Sequence, residues 1–225
     1  MTTVFPSRAS PAAFPMSSQA FHVPLYHRPA QSRSQARFDL IMSVARTHIS
    51  GFTLSELSLT TIAERAGVSV QSLYRYFPDI RGIFGKLLED FYADMNFSIQ
   101  RYLVTSLSPE HWQRDLTQFV RDLADYAIER PYVMKMQLIC RLDPEVEVYW
   151  WQMVGALQEQ LVLWLRLIGY SSKDLSEADA ARFIVMHLDA LLLDLGRSTN
   201  LDQDDSIARY TQSLIGYLSL HFEAA

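Results

Sequence analysis

The sequence contains a single cysteine, Cys140, among its 225 residues. One cysteine excludes an internal disulfide framework and is typical of a chain that works in a reducing cytosol. The sequence also lacks an apolar run of about 18 residues, the length that indicates a transmembrane helix. Its first residues lack the charged start and apolar block of a secretory signal. We therefore expect a cytoplasmic protein with no membrane partner.

Motifs that support catalysis or metal binding are missing as well. The histidines are dispersed, and none lies at a metal-ligand spacing from a cysteine or another histidine. The chain has neither a glycine-rich phosphate loop nor the Gly-x-Ser-x-Gly turn of hydrolases. We accordingly predict no enzymatic activity, no catalytic residue, no bound metal and no cofactor.

Charge is distributed unevenly along the chain, whose net charge is −5. Residues 1–81 carry eight arginines, no lysine and four acidic residues, whereas residues 82–225 carry twelve basic and twenty-one acidic residues. A basic first third on an acidic body is the pattern expected when one module alone meets nucleic-acid phosphates. Arginine suits such contacts because its planar guanidinium pairs bidentately with phosphate or guanine.

Residues 58–78 carry the most informative pattern. Ser58 has the side chain of a helix N-cap, and the apolar residues after it lie on one helical face. Gly67 follows that face, where a left-handed residue ends a helix without strain. Ser69 is a second N-cap, and Pro78 marks the end of the next helix. Two short helices joined by a tight turn predict a helix-turn-helix, which places a helix in the major groove of DNA.

The same segment resembles the TetR family of bacterial transcriptional regulators. The resemblance consists of IAERAGVS at residues 62–69, followed by LYRYFP at residues 73–78. The family usually has Ser or Asn and then a phosphate-contacting Lys after the Phe-Pro turn. Here those positions are Asp79 and Ile80, so either Arg81 takes over the phosphate contact or the contact is absent. The resemblance implies three helices for DNA binding, followed by about six for effector binding and dimerisation.

Helical periodicity supports an all-α fold along the rest of the chain. The DNA-binding domain is predicted over residues 32–78, and the effector-binding and dimerisation domain over residues 79–225, starting with a helix of about residues 79–105. Further helices are predicted over about residues 109–130, 132–140, 145–168, 176–196 and 204–222.

Residues 1–31 contain five prolines and no helical period, which predicts a disordered extension. The alternative is a DNA-contacting arm, because Arg28, Arg33 and Arg37 lead into the first helix. Five prolines without clustered charge fit a tail better than an arm that enters a groove.

By resemblance, the helix over residues 70–77 is the recognition helix. Gln71 is the candidate for base readout, because an amide pairs bidentately with adenine, and Val70 is the candidate for contact with a thymine methyl group. For Tyr74, core packing is an equal alternative. The predicted DNA-binding residues are Arg37, Ser58, Thr60, Thr61, Ser69, Val70, Gln71, Ser72, Tyr74, Arg75, Tyr76 and Arg81.

Aromatic residues and methionines of the second domain predict an adaptable pocket for an apolar effector, although a helical core uses the same residue types. The candidates are Trp112, Phe119, Tyr126, Met134, Met136, Trp150, Trp151, Met153, Trp164 and His187. For His187, a satisfied core histidine is the simpler interpretation.

The family mechanism implies a homodimeric repressor that a small-molecule effector releases from a near-palindromic double-stranded DNA operator. The apolar faces of the last two helices are wider than one neighbour can cover, which predicts pairing with a second copy. Two rival hypotheses remain. The protein could act without a ligand, as an activator or architectural factor, or it could sense oxidants through Cys140; burial in the core is the simpler interpretation of that cysteine.

Overall fold

The computed structural model describes residues 25–51, 56–105, 109–197 and 202–221. These residues form nine α-helices, with no β-strand among them, which confirms the predicted all-α fold. The helices are α1 (Ser32–Gly51), α2 (Leu59–Arg65), α3 (Val70–Tyr74), α4 (Ile80–Thr105), α5 (Trp112–Glu129), α6 (Tyr132–Leu142), α7 (Pro144–Leu167), α8 (Glu177–Leu195) and α9 (Gln203–Leu220). A short 3-10 helix, Pro109–His111, precedes α5.

The first three helices form a small unit around a shared apolar core. Helices α2 and α3 have seven and five residues, too few to be stable alone, because isolated helices shorter than about 12 residues are marginal in water. Tertiary packing holds them: α2 packs on α1 and α3 packs on α2. The buried residues that supply this packing include Phe38, Ile41, Ile62, Leu73 and Phe77.

The larger unit is organised around α4 and α7. With 26 residues, α4 is about 39 Å long at 1.5 Å per residue. It packs mainly against α7, which in turn packs against α8, and α9 packs on both α8 and α5. Helix α1 also contacts α4 and α6, so the two units are in direct contact rather than joined by α4 alone.

A short N-terminal segment, residues 25–28, lies across the boundary between the units and is called the strap below. The ring centroid of Tyr26 lies 5.8 Å from that of Phe38 and 6.1 Å from that of Phe77. The Tyr26 hydroxyl donates a hydrogen bond to Glu89 of α4, and Arg28 forms a salt bridge of 3.0 Å with the same carboxylate. The disorder predicted through residue 31 therefore does not extend to the strap; residues 1–24 lie outside the described residues.

The strap also binds through its backbone. The Leu25 N–H donates to Tyr149 Oη of α7 at 3.1 Å, and the His27 N–H donates to the Tyr76 carbonyl at 2.7 Å. A Cβ atom placed on Gly82 would lie 2.5 Å from the Leu25 carbonyl oxygen, so the close approach of strap and α4 requires glycine there. The strap thus joins the first unit, α4 and α7.

None of the described helices is both long and apolar enough to span a membrane. Over the same residues, the structure brings together no group of three or more His, Cys, Asp or Glu side chains that could hold a metal ion.

Candidate DNA interface and effector cavity

Side-chain caps and one glycine shape the turn between α2 and α3. Ser58 Oγ accepts a hydrogen bond from the Thr61 N–H at 3.1 Å, and Ser69 Oγ accepts one from the Ser72 N–H at 3.1 Å. These caps satisfy amide groups that the first turn of each helix leaves free. Gly67 has a φ of 64°, in the left-handed region that favours glycine.

The capping hydroxyls are also paired with each other. Ser58 Oγ lies 2.8 Å from Thr61 Oγ1, and Ser69 Oγ donates to Ser72 Oγ at 2.8 Å. All four residues were predicted to contact DNA. The structure gives each of them a local partner, so their first role is to define where α2 and α3 begin.

The outer face of α3 consists of Gln71, Tyr74 and Arg75, which are exposed and lie three and four residues apart. The Tyr74 side chain is 51% exposed, so the alternative of core packing does not apply to it. Leu73 is fully buried on the opposite side, and Val70 is half-buried against the core. Helix α3 therefore presents one amide, one phenol and one guanidinium on a single surface.

Three further predicted contacts lie in different surroundings. Thr60, in the first turn of α2, and Arg37, on α1, are exposed. Tyr76 is only 6% exposed, and its ring packs edge-on against Phe38 at 5.7 Å between centroids. The expectation that Tyr76 contacts DNA therefore conflicts with its position, because the ring completes the core beneath the strap.

Arg81 is held by carboxylates. Its Nε donates to Asp143 Oδ2 at 2.7 Å, and its Nη1 lies 3.7 Å from Asp79 and 3.4 Å from Glu145. The hydrogen bond and charge of Asp143 raise the pKa of Arg81 above its ordinary value. Three acidic partners neutralise this guanidinium, which counts against the expected phosphate contact.

Asp143 joins Arg81 to the start of α7. Its Oδ1 accepts hydrogen bonds from the N–H groups of Glu145 at 3.0 Å and Val146 at 3.4 Å, so it is the N-cap of α7. Partial burial raises the pKa of Asp143, but the hydrogen bonds from Arg81 and from the two backbone N–H groups outweigh it and hold the pKa below its ordinary value.

Helices α4 to α8 enclose a cavity, called the main cavity below, with a volume of about 40 Å³. Its wall is mostly apolar and aromatic: Phe91, Met95, Phe119, Leu123, Trp150, Met153, Val154, Leu157, Val185, Leu188 and Leu192, with Gln137 and Asp189. A smaller cavity of about 20 Å³, called the side cavity, shares Phe119 and is otherwise lined by Ile99, Asp115, Leu116, Leu161 and Trp164.

Five of the ten candidate effector residues line cavities of this domain: Phe119, Trp150, Met153 and Trp164 as above, and Met136 beside Trp150 at a third, smaller one. Trp112, Tyr126 and Met134 pack elsewhere in the domain. Trp151 is 61% exposed, and its indole N–H donates to Glu147, so it faces outward from α7.

His187 lies between α8 and α9, outside these cavities. Its ring centroid is 3.9 Å from that of Phe183, and its Nε2 is 3.3 Å from Ser213 Oγ. The Phe183 ring also stacks on Tyr217 at 3.8 Å. His187 is therefore half-buried rather than in the core, and both of its ring nitrogens have hydrogen-bond partners, as the simpler interpretation expected.

Sequence reasoning missed the polar group at the main cavity, Gln137 and Asp189. Gln137 Nε2 donates to Asp189 Oδ1 at 2.8 Å and to the Asp189 carbonyl at 3.3 Å, and Arg141 donates to Asp189 Oδ2. Burial raises the pKa of Asp189 above its ordinary value, and Arg141 opposes that shift. The signal was present: Gln137 follows Val133 by four residues and precedes Cys140 by three, on the buried face of α6.

Residues 41–87, which include the helix-turn-helix, match the sequence model described as bacterial regulatory proteins, tetR family. No curated protein matches the sequence significantly. Solved structures with a similar fold include the fatty acid degradation regulator FadR from Bacillus halodurans, with a TM-score of 0.66 and 18% identity over 80% of this chain and 95% of that one. A transcriptional regulator from Rhodococcus sp. RHA1 has a TM-score of 0.67 and 15% identity over 83% of this chain and 98% of that one.

A third similar structure is Thermus thermophilus FadR, a TetR-family transcriptional repressor in complex with lauroyl-CoA. It has a TM-score of 0.61 and 17% identity over 83% of this chain and 96% of that one. Identities this low establish the shared fold alone, whereas the sequence match of residues 41–87 falls on the segment that forms the second half of α1, the helix-turn-helix and the start of α4. The sequence match therefore assigns residues 41–87 to the TetR family of bacterial transcriptional regulators, and the similar structures share the fold of the chain.

Proposed function

We propose that this regulator is a cytoplasmic homodimeric repressor that binds a near-palindromic double-stranded DNA operator through α3 and leaves it when a small-molecule effector binds. The observation that carries the proposal is the outer face of α3. Gln71 can pair bidentately with adenine, and Val70, beside it, can contact a thymine methyl group. Tyr74 and Arg75, both exposed, supply contacts to phosphates or flanking bases.

The other predicted DNA contacts are kept or left out according to whether each side chain is exposed and what it already contacts. Thr60 and Arg37 are exposed and are assigned to the DNA backbone. The capping residues of α2 and α3 orient the recognition helix. We leave Tyr76 out because it is buried, and Arg81 because three carboxylates already surround it.

Dimerisation is inferred from the outer face of α8 and α9. Two large apolar side chains are exposed there among the described residues, Met186 and Leu220, and Leu220 is 83% exposed. The stacked Phe183 and Tyr217 lie on the same two helices. An exposed apolar surface of this kind marks a contact with another protein, and a second copy is the partner that symmetry favours. A twofold dimer would present two copies of α3 to major grooves about 34–36 Å apart.

In this proposal the effector binds at the main cavity. Its 40 Å³ is far below the roughly 300–1,000 Å³ of sites that hold drug-sized ligands, so an effector must push its walls apart. Helix α4 contributes Phe91 and Met95 to those walls, and it begins three residues after Phe77 of the DNA-binding unit. Displacement of α4 would change the spacing of the two recognition helices and release the operator.

The redox hypothesis conflicts with the position of Cys140. Its side chain is buried, and burial raises the pKa of the thiol to about 12. A thiol that stays protonated and shielded is a poor target for oxidants, which react with exposed thiolates.

The decisive experiment measures binding to the DNA upstream of the protein's own gene by gel shift over a salt series. We expect tight, sequence-dependent binding that weakens steeply with salt. Gln71→Ala with Arg75→Ala should lower operator affinity at least about tenfold, since each base or phosphate contact contributes about 1–3 kcal/mol.

A matched control is Gln113→Ala with Arg114→Ala, which removes the same two side-chain types from exposed positions of α5. This variant should bind the operator normally. Unchanged operator binding by the Gln71 and Arg75 variant would contradict the proposed readout, and a monomer at micromolar concentration in sedimentation would contradict the dimer.

A further inference from the structure

The main cavity is apolar except at one spot. Eleven of the residues that line it are apolar, and the remaining two, Gln137 and Asp189, are hydrogen-bonded to each other at 2.8 Å. A molecule bound in this cavity would therefore contact hydrocarbon and aromatic rings on most sides and a single polar pair. The hydrogen-bonding state of that pair decides which polar group on a ligand it accepts.

The amide of Gln137 has only one orientation that its neighbours allow. The two Asp189 atoms that it faces, the carbonyl oxygen and Oδ1, are both acceptors, so the Gln137 nitrogen must point toward them. The amide oxygen, Oε1, consequently points away from Asp189. Gln137 is 0% exposed, and its Oε1 has no hydrogen-bond partner among the described residues. A buried acceptor without a donor is unfavourable, and a ligand that donates to it removes that penalty.

Arg141 does not give the wall of the main cavity a positive charge. It donates to Asp189 Oδ2 and to the Gln137 carbonyl, so its guanidinium offsets the charge of the Asp189 carboxylate from outside the main cavity. Arg141 does not line the main cavity, and no lysine, arginine or histidine is among the described residues that do.

The side cavity resembles the main cavity in having an apolar wall with one acidic residue. Asp115 is the one polar residue among those described in its wall, and Asp115 Oδ2 is buried without a hydrogen-bond partner in the described part of the chain. Phe119 separates the two cavities, since it lines both. Neither cavity has a basic side chain among the described residues of its wall.

We propose that the effector is an apolar molecule that carries an O–H or N–H donor, and that Gln137 Oε1 accepts a hydrogen bond from this group. The inference rests on the proposed function in taking the main cavity as the effector site. A carboxylate or another anionic head group is excluded at this spot, because it would bring acceptor oxygens and negative charge against Gln137 Oε1 and Asp189.

Three probes with the same butylphenyl body test this inference by titration calorimetry: para-butylphenol, para-butylanisole and para-butylbenzoate. The phenol has a donor, the anisole has the same oxygen with the donor methylated, and the benzoate is an anion. We expect the phenol to bind about tenfold more tightly than the anisole, the effect of one hydrogen bond to a buried acceptor. The benzoate should bind more weakly than either.

Gln137→Leu removes the acceptor at nearly constant volume and should abolish the preference for phenol over anisole, while anisole affinity is retained. Retained anisole affinity also shows that the variant is folded. Gln152→Leu is the matched control, because Gln152 Oε1 is likewise buried without a partner among the described residues but does not line the main cavity. This variant should keep the preference.

The inference is overturned if the phenol binds no more tightly than the anisole, if the preference survives in Gln137→Leu, if the benzoate binds as tightly as the phenol, or if no probe binds. Gel shifts on the same samples separate this outcome from failure of the proposed function. If the parent protein binds its operator but shows no preference for the phenol, the donor inference alone is overturned. Absence of sequence-specific DNA binding contradicts the repressor whatever the probes do.

Discussion

The helix-turn-helix, residues 58–77, and the strap stabilise the same small core by opposite means. The caps of the helix-turn-helix join residues three positions apart, Ser58 to Thr61 and Ser69 to Ser72. The strap has partners far along the chain: Leu25 binds Tyr149, 124 positions away. The first region is specified by local residue order, whereas the second exists only when α4 and α7 are already in place.

The two regions meet at Phe77. This ring is fully buried, stacks on Phe38 at 5.1 Å between centroids and lies 6.1 Å from Tyr26 of the strap. The comparison therefore suggests three kinds of variant: one that breaks both regions, one that breaks the strap alone, and one that breaks the local motif alone.

Phe77→Ala should have the largest effect because it removes the contact that both regions share. We expect the free energy of unfolding to fall by about 3–5 kcal/mol, the usual cost of truncating a buried phenylalanine. Urea denaturation followed by circular dichroism measures it. Tyr74→Ala is the control, an aromatic three residues earlier in the chain whose side chain is exposed; it should change stability by no more than about 0.5 kcal/mol. Equal losses in the two variants would contradict the described orientation of α3.

Gly82→Ala should act mainly on the strap, because the added Cβ would approach Phe77 of the helix-turn-helix less closely, at 3.2 Å from Cδ1. A Cβ atom there would lie 2.5 Å from the Leu25 carbonyl oxygen, so the strap must move, at a cost of about 1–3 kcal/mol. Thermal unfolding would show a lower midpoint, and limited proteolysis would cut earlier near residue 25.

Gly85→Ala is the matched change one turn later in α4. Its Cβ would meet only the flexible Leu25 side chain at 3.4 Å, and alanine favours a helix over glycine by up to about 1 kcal/mol. This variant should be as stable as the parent or more so. If Gly82→Ala were equally harmless, the close approach of the strap to α4 would be refuted.

Ser69→Ala should weaken the local motif and leave the strap in place. Loss of an N-cap costs about 1 kcal/mol, and the start of α3 should fray because the Ser72 N–H loses its acceptor. Operator affinity should fall with it, since Gln71 lies in the same turn. Ser43→Ala, at an exposed position inside α1, should leave both stability and operator binding unchanged. A normal gel shift with Ser69→Ala would show that DNA recognition does not depend on the Ser69 cap.

The same contrast explains which parts of the structure the sequence predicted. Both caps, the left-handed Gly67 and the start of α4 near residue 80 depend on interactions within one or two helical turns, and the structure has them where the residue order places them. The strap depends on what the long-range fold brings beside Tyr26, so its prolines and lack of period indicated disorder instead.

The cavities were predicted only in part, for the same reason. Periodicity places Trp150 and Trp151 on the same helix but cannot say which neighbour covers which face, and only Trp150 faces the main cavity. Gln137 and Asp189 are 52 positions apart, and nothing in either local segment indicates that they pair. The motif predicted that Gln71 and Arg75 lie at the surface but left Tyr74 open between DNA contact and core packing. Nothing in the motif indicated that Arg81 binds Asp143, which is 62 positions away.

The bridge between Arg81 and Asp143 gives the smallest of the four expected effects, because both side chains are partly exposed and water weakens such a pair. The pKa of Asp143 is below its ordinary value in the folded protein, so its charge adds stability above about pH 4, the unfolded-state pKa, and that stability is lost as pH falls through the folded-state pKa.

Asp143→Asn keeps the oxygen that caps α7 but not the charge. The parent should therefore be slightly more stable than this variant at pH 7, and urea denaturation at stepwise lower pH should show the difference shrinking below about pH 4. Asp79→Asn, whose carboxylate is 3.7 Å from Arg81 and more exposed, should show a smaller difference throughout. A difference that stays constant down to low pH would mean that Asp143 acts only as a cap, and that the strap, rather than this bridge, is the tie between the DNA-binding unit and α7.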